Sequence, residues 1–351
     1  MSALRDDPRF SIAGRRIGPG EPPYLVAEVS ANHRRELERA IRIIEAAADC
    51  GADAVKFQAY TPETLTIDCD SPAFRIRGTI WDGRTLYELY REAHTPWEWL
   101  ADLKQVAQSH GLAWFASVFD PTSIEFLEGL EAPAYKIASF ELVDVPLLKR
   151  VAATGKPVIV STGMATVEEI DEAVRAVGEA PLALLHCVSA YPAPAAEMHL
   201  RAIPHLAERF GVPVGLSDHT LDAATAVAAV ALGACIVEKH LTVSRRDGGP
   251  DAAFSMEPDE FAQMARAART AWQALGDARV GPAPSEMAGR RLRRSLFVVA
   301  DVRAGEPFTP ENVRSIRPGD GLAPRYYEYV LGRHARADIA RGTPLGWQHV
   351  G

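Results

Sequence analysis

The feature that most constrains the fold is a repeated alternation of short apolar runs with Ala-, Glu- and Arg-rich stretches of helical spacing. The apolar runs predict strands at residues 24–30, 54–60, 113–119, 134–139, 157–163, 182–189, 212–219 and 234–241. Continuous apolar strands that alternate with helices indicate a parallel sheet covered on both faces. Eight such units over about 250 residues favour a (β/α)8 TIM barrel over an open sheet.

The C-terminal segment has a different pattern, with short apolar runs, many Gly and Pro residues and no helical repeat. Within it, "DVRAGEPFTPENV" matches "DIARGTPLGWQHV" in the order of an apolar run, a glycine turn and a polar-to-apolar stretch. This internal repeat supports a small compact module. We therefore predict a barrel domain at 1–280, a linker at 281–290 and a small β-rich domain at 291–351.

The charge of the chain limits its partners. The 351 residues carry a formal net charge of −8, which argues against nucleic acid as the partner. From Glu286 onward, however, there are 11 Arg and only 7 acidic residues. Residues 1–285 are therefore more acidic than the chain as a whole. A basic tail on an acidic body indicates either an anionic ligand or docking of the tail onto the body.

Membrane and secretion signals are missing from the sequence pattern. No apolar run approaches the roughly 18 residues that a membrane span needs, and "MSALRDDPRF" lacks the basic-then-apolar order of a signal peptide. The cysteines show no CxxC spacing, which favours free thiols in a reducing compartment; they are Cys50, Cys69, Cys187 and Cys235. We expect a cytoplasmic protein with no membrane partner.

Polar side chains gather at the C-terminal ends of the predicted strands, which form the active-site face of such a barrel. They are Glu28, Lys56, Gln58, Ser117, Lys136, Ser139, Ser161, Thr162, Ser189, Tyr191, His219 and His240. One such residue alone could simply cap its strand, but polar ends on all the strands indicate a site. Burial of a lysine ammonium inside a barrel strand is energetically unfavourable unless an anion binds beside it.

Two neighbouring strands end on a histidine surrounded by charge. "PVGL" is followed by "SDH", which ends at His219, and "ACIV" is followed by "EKH", which ends at His240. Polar residues can cap strands where the strands meet water. Alternatively, the two strands deliver two metal ligands to one point. Two neutral imidazoles would leave coordination positions open, as a Lewis-acid site requires.

Nearly end to end, the chain resembles the sialic acid synthases. The motifs "AEVSANH", "GADAVKFQ", "PAYKIAS", "STGMATVEEI", "HCVSAYP", "GLSDHT", "VEKH" and "IRPGDGL" occur in the order of that family. "IWDGRTLYELYREAHTPWEW", "YKIASFE" and "RRSLFVVAD" resemble its pseudaminic acid synthase branch. The resemblance implies a barrel followed by an antifreeze-like (SAF) domain. One departure is "FASVFD", in which Val118 stands where relatives commonly have proline.

The resemblance also implies site residues. His219 and His240 would hold a divalent ion, Mn2+ or Mg2+. Implied catalytic residues are Glu28, Lys56 and Lys136. Implied substrate-binding residues are Gln58, Ser117, Ser139, Glu141, Ser161, Ser189, Tyr191, Ser217, Asp251 and Arg317. Arg317 would reach the sugar from the SAF domain of the other subunit in a domain-swapped homodimer.

The implied reaction joins phosphoenolpyruvate to an acylamino sugar and releases phosphate. For the pseudaminic branch the sugar would be 2,4-diacetamido-2,4,6-trideoxy-altrose. An N-acetylneuraminate or legionaminate synthase would share the catalytic residues and differ only in its sugar pocket. A metal-dependent aldolase or hydrolase would also place histidines at strand ends, but it would not need the lysine and serine cradle. A non-catalytic carbohydrate- or ice-binding protein would use the tail alone.

Overall fold

The computed structural model describes residues 7–351. The chain forms two compact units, one that ends at Gly276 and one that comprises Asp277–Gly351. Residues 1–6, on which part of the signal-peptide expectation rests, lie outside the described residues. Among the residues that are described, no helix is both long enough and apolar enough to cross a membrane.

The described part of the chain starts with an antiparallel hairpin that the sequence patterns did not predict. Its strands are β1 (Phe10–Ile12) and β2 (Arg15–Ile17), and Phe10 pairs with Ile17. Ile12 and Ile17 are fully buried in one cluster with Tyr24, at the start of the first barrel strand. The hairpin therefore packs against the N-terminal end of the barrel.

Within residues 7–351, eight parallel strands close into a barrel, which confirms the predicted fold. They are β3 (Tyr24–Glu28), β4 (Ala54–Ala59), β5 (Ala113–Val118), β6 (Tyr135–Ile137), β7 (Val158–Ser161), β8 (Leu182–Cys187), β9 (Val214–Asp218) and β10 (Ile236–His240). Strand β10 closes the ring on β3, with His240 opposite Glu28. Each strand is shorter than its predicted run because the outer residues of the run belong to the flanking loops.

Helices connect the strands and cover the outside of the barrel. They are α1 (Leu37–Asp49), α2 (Pro62–Leu65), α3 (Leu86–Ala93), α4 (Leu100–Ser109), α5 (Pro121–Gly129), α6 (Val145–Ala152), α7 (Val167–Val177), α8 (Ala202–Phe210), α9 (Ala224–Ala231) and α10 (Pro258–Leu275). Side-chain caps fix several helix starts: Asp120, Asp144 and Thr166 each accept a backbone N–H of the first turn. The buried faces of these helices form the main core with the outward side chains of the strands.

The inward side chains of the barrel form two layers, because alternate residues of a strand point to opposite faces. The lower layer contains Val26, Ala54, Phe115, Ala134, Ile159, Leu185, Gly215 and Ile236, all of them buried. The upper layer lies two residues further along each strand and contains Glu28, Lys56, Ser117, Lys136, Ser161, Cys187, Ser217 and Glu238. Every residue of the upper layer is at most 4% exposed.

A glycine is required in the lower layer, where two strands leave no room for a side chain. A Cβ on Gly215 would lie 2.4 Å from the carbonyl oxygen of Ile236 and 2.7 Å from Leu185 Cδ2. Real Cβ atoms do not approach other atoms this closely, because interiors are already close-packed. The apolar filling below the site therefore depends on this missing side chain.

The second unit is β-rich, with the antiparallel strands β11 (Ser295–Val298) and β12 (Val313–Ile316) and the short helix α11 (Tyr327–Val330). The two halves of the internal repeat pair with each other. Val302 N donates to Ile339 O at 2.9 Å, and Ile339 N donates to Val302 O at 2.8 Å. Both residues are buried in the core of this unit with Phe308 and Leu345.

Candidate active site

A cavity of about 430 Å³ lies at the C-terminal ends of the barrel strands. Most of the predicted site residues line it: Lys56, Gln58, Ser117, Lys136, Ser139, Glu141, Ser161, Tyr191, Ser217, His219, His240 and Asp251. Glu28 lies directly below the cavity, fully buried, and Ser189 lies behind Ser139. Arg317 lies in the second unit, where its side chain is exposed.

Lys56 is held between two carboxylates of the upper layer. Its Nζ lies 2.8 Å from Glu28 Oε2 and 3.5 Å from Glu238 Oε1, and it donates to Ser117 Oγ at 3.0 Å. Burial favours the neutral amine, but Glu238 and Glu28 outweigh it and raise the pKa of Lys56. The lysine is therefore charged and fixed in place by neighbours on both sides.

The two carboxylates that flank Lys56 titrate in opposite directions. Burial raises the pKa of Glu28, against the attraction of the Lys56 ammonium. Burial also opposes ionisation of Glu238, but the Lys56 and Lys136 ammonium groups lower its pKa. The second oxygen of Glu238, Oε2, is buried and has no hydrogen-bond partner among the described residues. The upper layer thus holds one firmly ionised carboxylate and one that binds a proton more readily.

Lys136 differs from Lys56 because it has no acidic partner in the ion pairs of the described chain. Its Nζ donates to Ser161 Oγ at 2.7 Å and to the carbonyl oxygen of Ile137 at 2.8 Å. The side chain is 1% exposed, and burial lowers its pKa. A buried ammonium that no carboxylate of the described chain contacts directly is unfavourable, so this position suits an anionic ligand.

A glycine lets the loop after β7 approach the cavity closely. Ser139 and Ser189 share a hydrogen bond of 2.7 Å between their hydroxyl oxygens, behind the lining of the cavity. Gly163 has a φ of 34°, and a Cβ on it would lie 2.2 Å from Ser139 Cβ and 2.7 Å from Ser189 Oγ. Only glycine fits here, because any side chain would displace both hydroxyls.

The two histidines stand side by side at the ends of β9 and β10, with ring centroids 5.5 Å apart. His219 Nδ1 lies 3.0 Å from the carbonyl oxygen of Val188, which only accepts, so Nδ1 carries the proton and Nε2 keeps a free lone pair. His240 Nδ1 is buried with no hydrogen-bond partner among the described residues. Burial, reinforced by His219, lowers the pKa of His240 well below its usual value, so this imidazole is neutral.

These imidazoles fit a divalent metal ion, because each offers a nitrogen that no protein hydrogen bond uses. Phe254 packs edge-on against His240, with ring centroids 5.0 Å apart, and shields that side from water. Residues 7–351 contain no cluster of three or more His, Cys, Asp and Glu side chains suited to a metal. Among the described residues, the groups that could hold a metal ion at this position are therefore the two histidines.

A hydrogen-bonded chain joins the cavity rim to the upper layer. Ser30 donates to Asp251 Oδ2 in a short hydrogen bond, and Gln58 Nε2 donates to Ser30 Oγ at 3.0 Å. The same amide nitrogen donates to Glu28 Oε1 at 2.9 Å. Asp251, 223 residues after Glu28 in the chain, is thereby connected to it through two side chains.

The other side of the cavity is an apolar wall that comes from the β4–β5 connection. Its members are Leu65, Ile76, Trp81, Leu86, Leu89 and Tyr90. Trp81 is anchored because its Nε1–H donates to the carbonyl oxygen of Pro250 at 3.0 Å. Helix α3, which carries part of the wall, starts at a capping box in which Thr85 and Glu88 bond reciprocally. The cavity therefore combines a charged floor with an apolar wall.

Comparison with known proteins identifies the family to which this chain belongs. The model of the NeuB family matches residues 43–280, and that of the SAF domain matches residues 293–351. The chain belongs to the NeuB family. A pseudaminic acid synthase of Campylobacter jejuni is 44% identical over 92% of this chain and 95% of that protein. A pseudaminic acid synthase of Helicobacter pylori is 42% identical over 93% of this chain and 97% of its own length.

Solved structures of NeuB-family relatives agree with the fold. An N-acetylneuraminic acid synthetase of Leptospira borgpetersenii matches with a TM-score of 0.72 at 32% identity, over 80% of this chain and 94% of that one. Legionaminic and neuraminic acid synthases are more distant relatives than the pseudaminic acid synthases. The predicted family, and its barrel followed by an SAF domain, are confirmed.

Sequence reasoning missed several polar members of this NeuB-family site, among them Ser30, Glu238 and Cys187. Glu238 was treated only as charge beside His240, although strand alternation points residues two apart to the same face. Cys187 was treated as an ordinary buried thiol, but its Sγ lies 4.0 Å from His219 Nδ1 and 3.6 Å from Ser189 Oγ. Burial opposes ionisation, yet contact with His219 lowers the pKa of this thiol, and the same contact raises the pKa of His219.

Proposed function

We propose that this chain is a pseudaminic acid synthase, which condenses phosphoenolpyruvate with 2,4-diacetamido-2,4,6-trideoxy-altrose and releases phosphate. One observation carries the proposal. A single cavity holds a buried ammonium with no acidic partner in the ion pairs of the described chain, a pair of adjacent histidines and an apolar wall. The reaction requires an anion site, a site that polarises an aldehyde and a pocket for a deoxygenated sugar.

The anion site is the lysine and serine part of the upper layer. Lys136 makes no direct ion pair among the described residues, and the carboxylate or phosphate of phosphoenolpyruvate would supply one. Lys56 adds a second positive charge within the same layer. The hydroxyls of Ser117, Ser139, Ser161 and Ser217 can donate to the remaining oxygens, with Ser189 supporting Ser139.

His219 and His240 would hold the divalent ion, Mn2+ or Mg2+. When bound, this ion acts as a Lewis acid that polarises the aldehyde oxygen of the open-chain sugar. The histidines are oriented for this purpose, since the Val188 carbonyl fixes the tautomer of His219 and Phe254 packs against His240.

The bond changes can be assigned to atoms. Carbon 3 of phosphoenolpyruvate attacks the aldehyde carbon, and the aldehyde oxygen becomes a hydroxyl with the proton that Glu28 takes from water in the next step. Water adds to carbon 2 and gives its proton to Glu28, whose raised pKa suits it to a base. The bond between carbon 2 and the phosphate oxygen then breaks, the remaining proton of the added water leaves with the phosphate, and carbon 2 becomes a keto group. Glu238, firmly ionised, stabilises the positive charge that develops at carbon 2.

The sugar would lie between the floor and the apolar wall. Gln58, Glu141, Tyr191 and Asp251 line this space and can bond to hydroxyl and acetamido groups. The wall suits the methyl group at carbon 6, where N-acetylmannosamine carries a hydroxyl. A hydrophobic pocket rejects an added hydroxyl by only about 10²-fold, so a neuraminate-type substrate should be used slowly rather than refused.

The test is phosphate release from phosphoenolpyruvate with three sugars: the altrose derivative, its manno-configured legionaminate counterpart and N-acetylmannosamine. We expect kcat/KM for the altrose derivative to exceed that for N-acetylmannosamine by about 10²-fold. Samples without sugar, and samples treated with a chelator, serve as controls and should release no phosphate. Equal kcat/KM for all three sugars would refute the pseudaminic assignment. Absence of phosphate release with every sugar would refute the condensation itself.

We further propose a cytoplasmic homodimer in which the SAF domain (291–351), beyond a linker at 281–290, acts on the partner's barrel (1–280). The resemblance to the family and the basic character of the tail support this. The test pairs an Arg317→Ala chain with a His240→Ala chain. If Arg317 acts in trans, two impaired proteins should regain activity when reassembled together. Verified mixed dimers that stay inactive would contradict the exchange.

A further inference from the structure

We propose that Asp218 and Lys239 are positioning residues that hold His219 and His240 at the separation required by one metal ion. Neither residue lines the cavity. The inference rests on the metal-assisted condensation proposed above and deepens it, because it assigns the geometry of the histidine pair to a buried ion pair on the other face of the strands.

The two side chains form a closed network. Lys239 Nζ lies 2.9 Å from Asp218 Oδ2 and donates to the carbonyl oxygens of Thr220 at 2.5 Å and Asp222 at 3.3 Å. Asp218 Oδ1 accepts from Thr220 N at 2.9 Å, and Oδ2 accepts from Thr225 Oγ1 at 2.8 Å. Both charged side chains are 0% exposed, so each depends on these partners for its polar contacts.

The position of the network in the sheet explains why it would matter. Asp218 and Lys239 are the last pair of residues in the ladder between β9 and β10. His219 follows directly and lies beyond the end of strand β9. The network bonds to the residues on both sides of His219, at Asp218 and Thr220, and to the residue before His240. It therefore ties the histidine turn of one strand to the histidine of the next.

Stability alone is a poor explanation for this pair. Replacing a buried ion pair with apolar residues of similar volume is often neutral or stabilising, because the desolvation of both charges is avoided. A pair that contributes little to stability can still fix one geometry. The two explanations differ in what they predict: a structural role lowers the melting temperature, whereas a positioning role weakens metal binding.

The experiment compares the wild-type chain with the double variant Asp218→Leu/Lys239→Met. Binding of Mn2+ alone is followed by the electron paramagnetic resonance signal of the free ion, and Tm is measured in chelator. We expect Mn2+ to bind about 10- to 100-fold more weakly, the usual effect of losing residues that orient metal ligands. We expect Tm in chelator to stay equal or rise.

Matched control variants distinguish a loss of histidine positioning from a general loss of stability. Asp53→Asn removes a carboxylate that bonds to Leu25 N at 2.8 Å and to Arg269 at 3.1 Å, at the opposite end of the barrel. It should lower Tm and leave Mn2+ affinity unchanged. Thr225→Ser keeps the hydroxyl that donates a hydrogen bond to Asp218 Oδ2. Thr225→Val removes that hydroxyl with little change in side-chain shape. Only the valine variant should bind Mn2+ several-fold more weakly.

The outcomes separate the two proposals. If the wild-type chain binds no Mn2+ and no Mg2+, the metal role in the proposed function is wrong. If the wild-type chain binds Mn2+ and the double variant binds it equally well, only the positioning role is wrong. If the double variant does not fold, the Thr225→Val and Thr225→Ser pair decides, and equal Mn2+ affinity in that pair overturns the inference.

Discussion

The lower and upper layers of the barrel interior come from the same strands, two residues apart, yet they differ in nearly every chemical respect. On β7, Ile159 lies below Ser161, and on β5, Phe115 lies below Ser117. The layers are about 6–7 Å apart along the strand. Both are buried, but only the lower one gains hydrophobic stabilisation, whereas the upper one carries unfavourable desolvation. Stability and chemistry are thus separated by one repeat of the strand.

The largest effect is expected at the upper end of the interior, at the histidine pair proposed to hold a metal ion. His240→Ala should reduce turnover by about 10⁴-fold or more, because several kcal/mol of transition-state stabilisation are lost at about 1.4 kcal/mol per tenfold. Folding should survive, so circular dichroism should be unchanged. His205→Ala, on the exposed face of α8, is the control and should retain full activity. Full turnover by metal-free protein would contradict the metal role.

The next effect separates activity from stability within one layer. Lys136→Met should lower kcat/KM for phosphoenolpyruvate by about 10³-fold, as expected for the loss of a preorganised charged donor. Because burial of this ammonium is unfavourable, the ligand-free variant should melt at a higher temperature than the wild type. Lys149→Met, on the exposed surface of α6, should change neither quantity. A lower Tm in Lys136→Met would break the contrast between the layers.

The lower layer should give the opposite result. Phe115→Ala removes a fully buried ring and should lower the free energy of unfolding by about 3–5 kcal/mol. The active-site groups are left in place, so kcat/KM per folded molecule should remain within about threefold of the wild type, a factor equivalent to less than 1 kcal/mol. Denaturant unfolding and steady-state kinetics on the same sample measure both. A large loss of kcat/KM would show that the layers are coupled.

The smallest effect concerns pH. Burial raises the pKa of Glu141, on the cavity wall, from 4.5 to about 7. Between these values the folded protein holds a proton that the unfolded chain has lost, so the stability of the wild type falls as pH rises through this window. Glu141→Gln lacks this dependence. Its Tm advantage over ligand-free wild type should be larger at pH 8 than at pH 5, and an equal difference at both pH values would contradict the shift.

The sequence predicted the features that depend on local pattern. Strand alternation with helices gave the barrel, and strand topology brings polar residues such as Lys56 and His219 to one face. It could not predict the pairing within that face. Among the described residues, Lys56 has two carboxylate partners and Lys136 has no direct one, and this difference depends on which side chains of distant segments meet. The hairpin β1–β2 was missed because strands of three residues are too short to show a period.

The position of that hairpin has a consequence for the order in which ligands enter and leave the cavity. Ile12 and Ile17 pack against one end of the barrel, beneath the apolar lower layer that fills its interior, so the cavity lies at the other end, where the strands finish. If the sugar binds at the apolar wall as proposed, the anion that binds beside Lys56 and Lys136 must arrive before it. In that arrangement the new sugar acid would leave first, and the phosphate beside the lysines would leave afterwards. The proposed reaction would therefore follow an ordered mechanism, in which the two substrates bind one after the other.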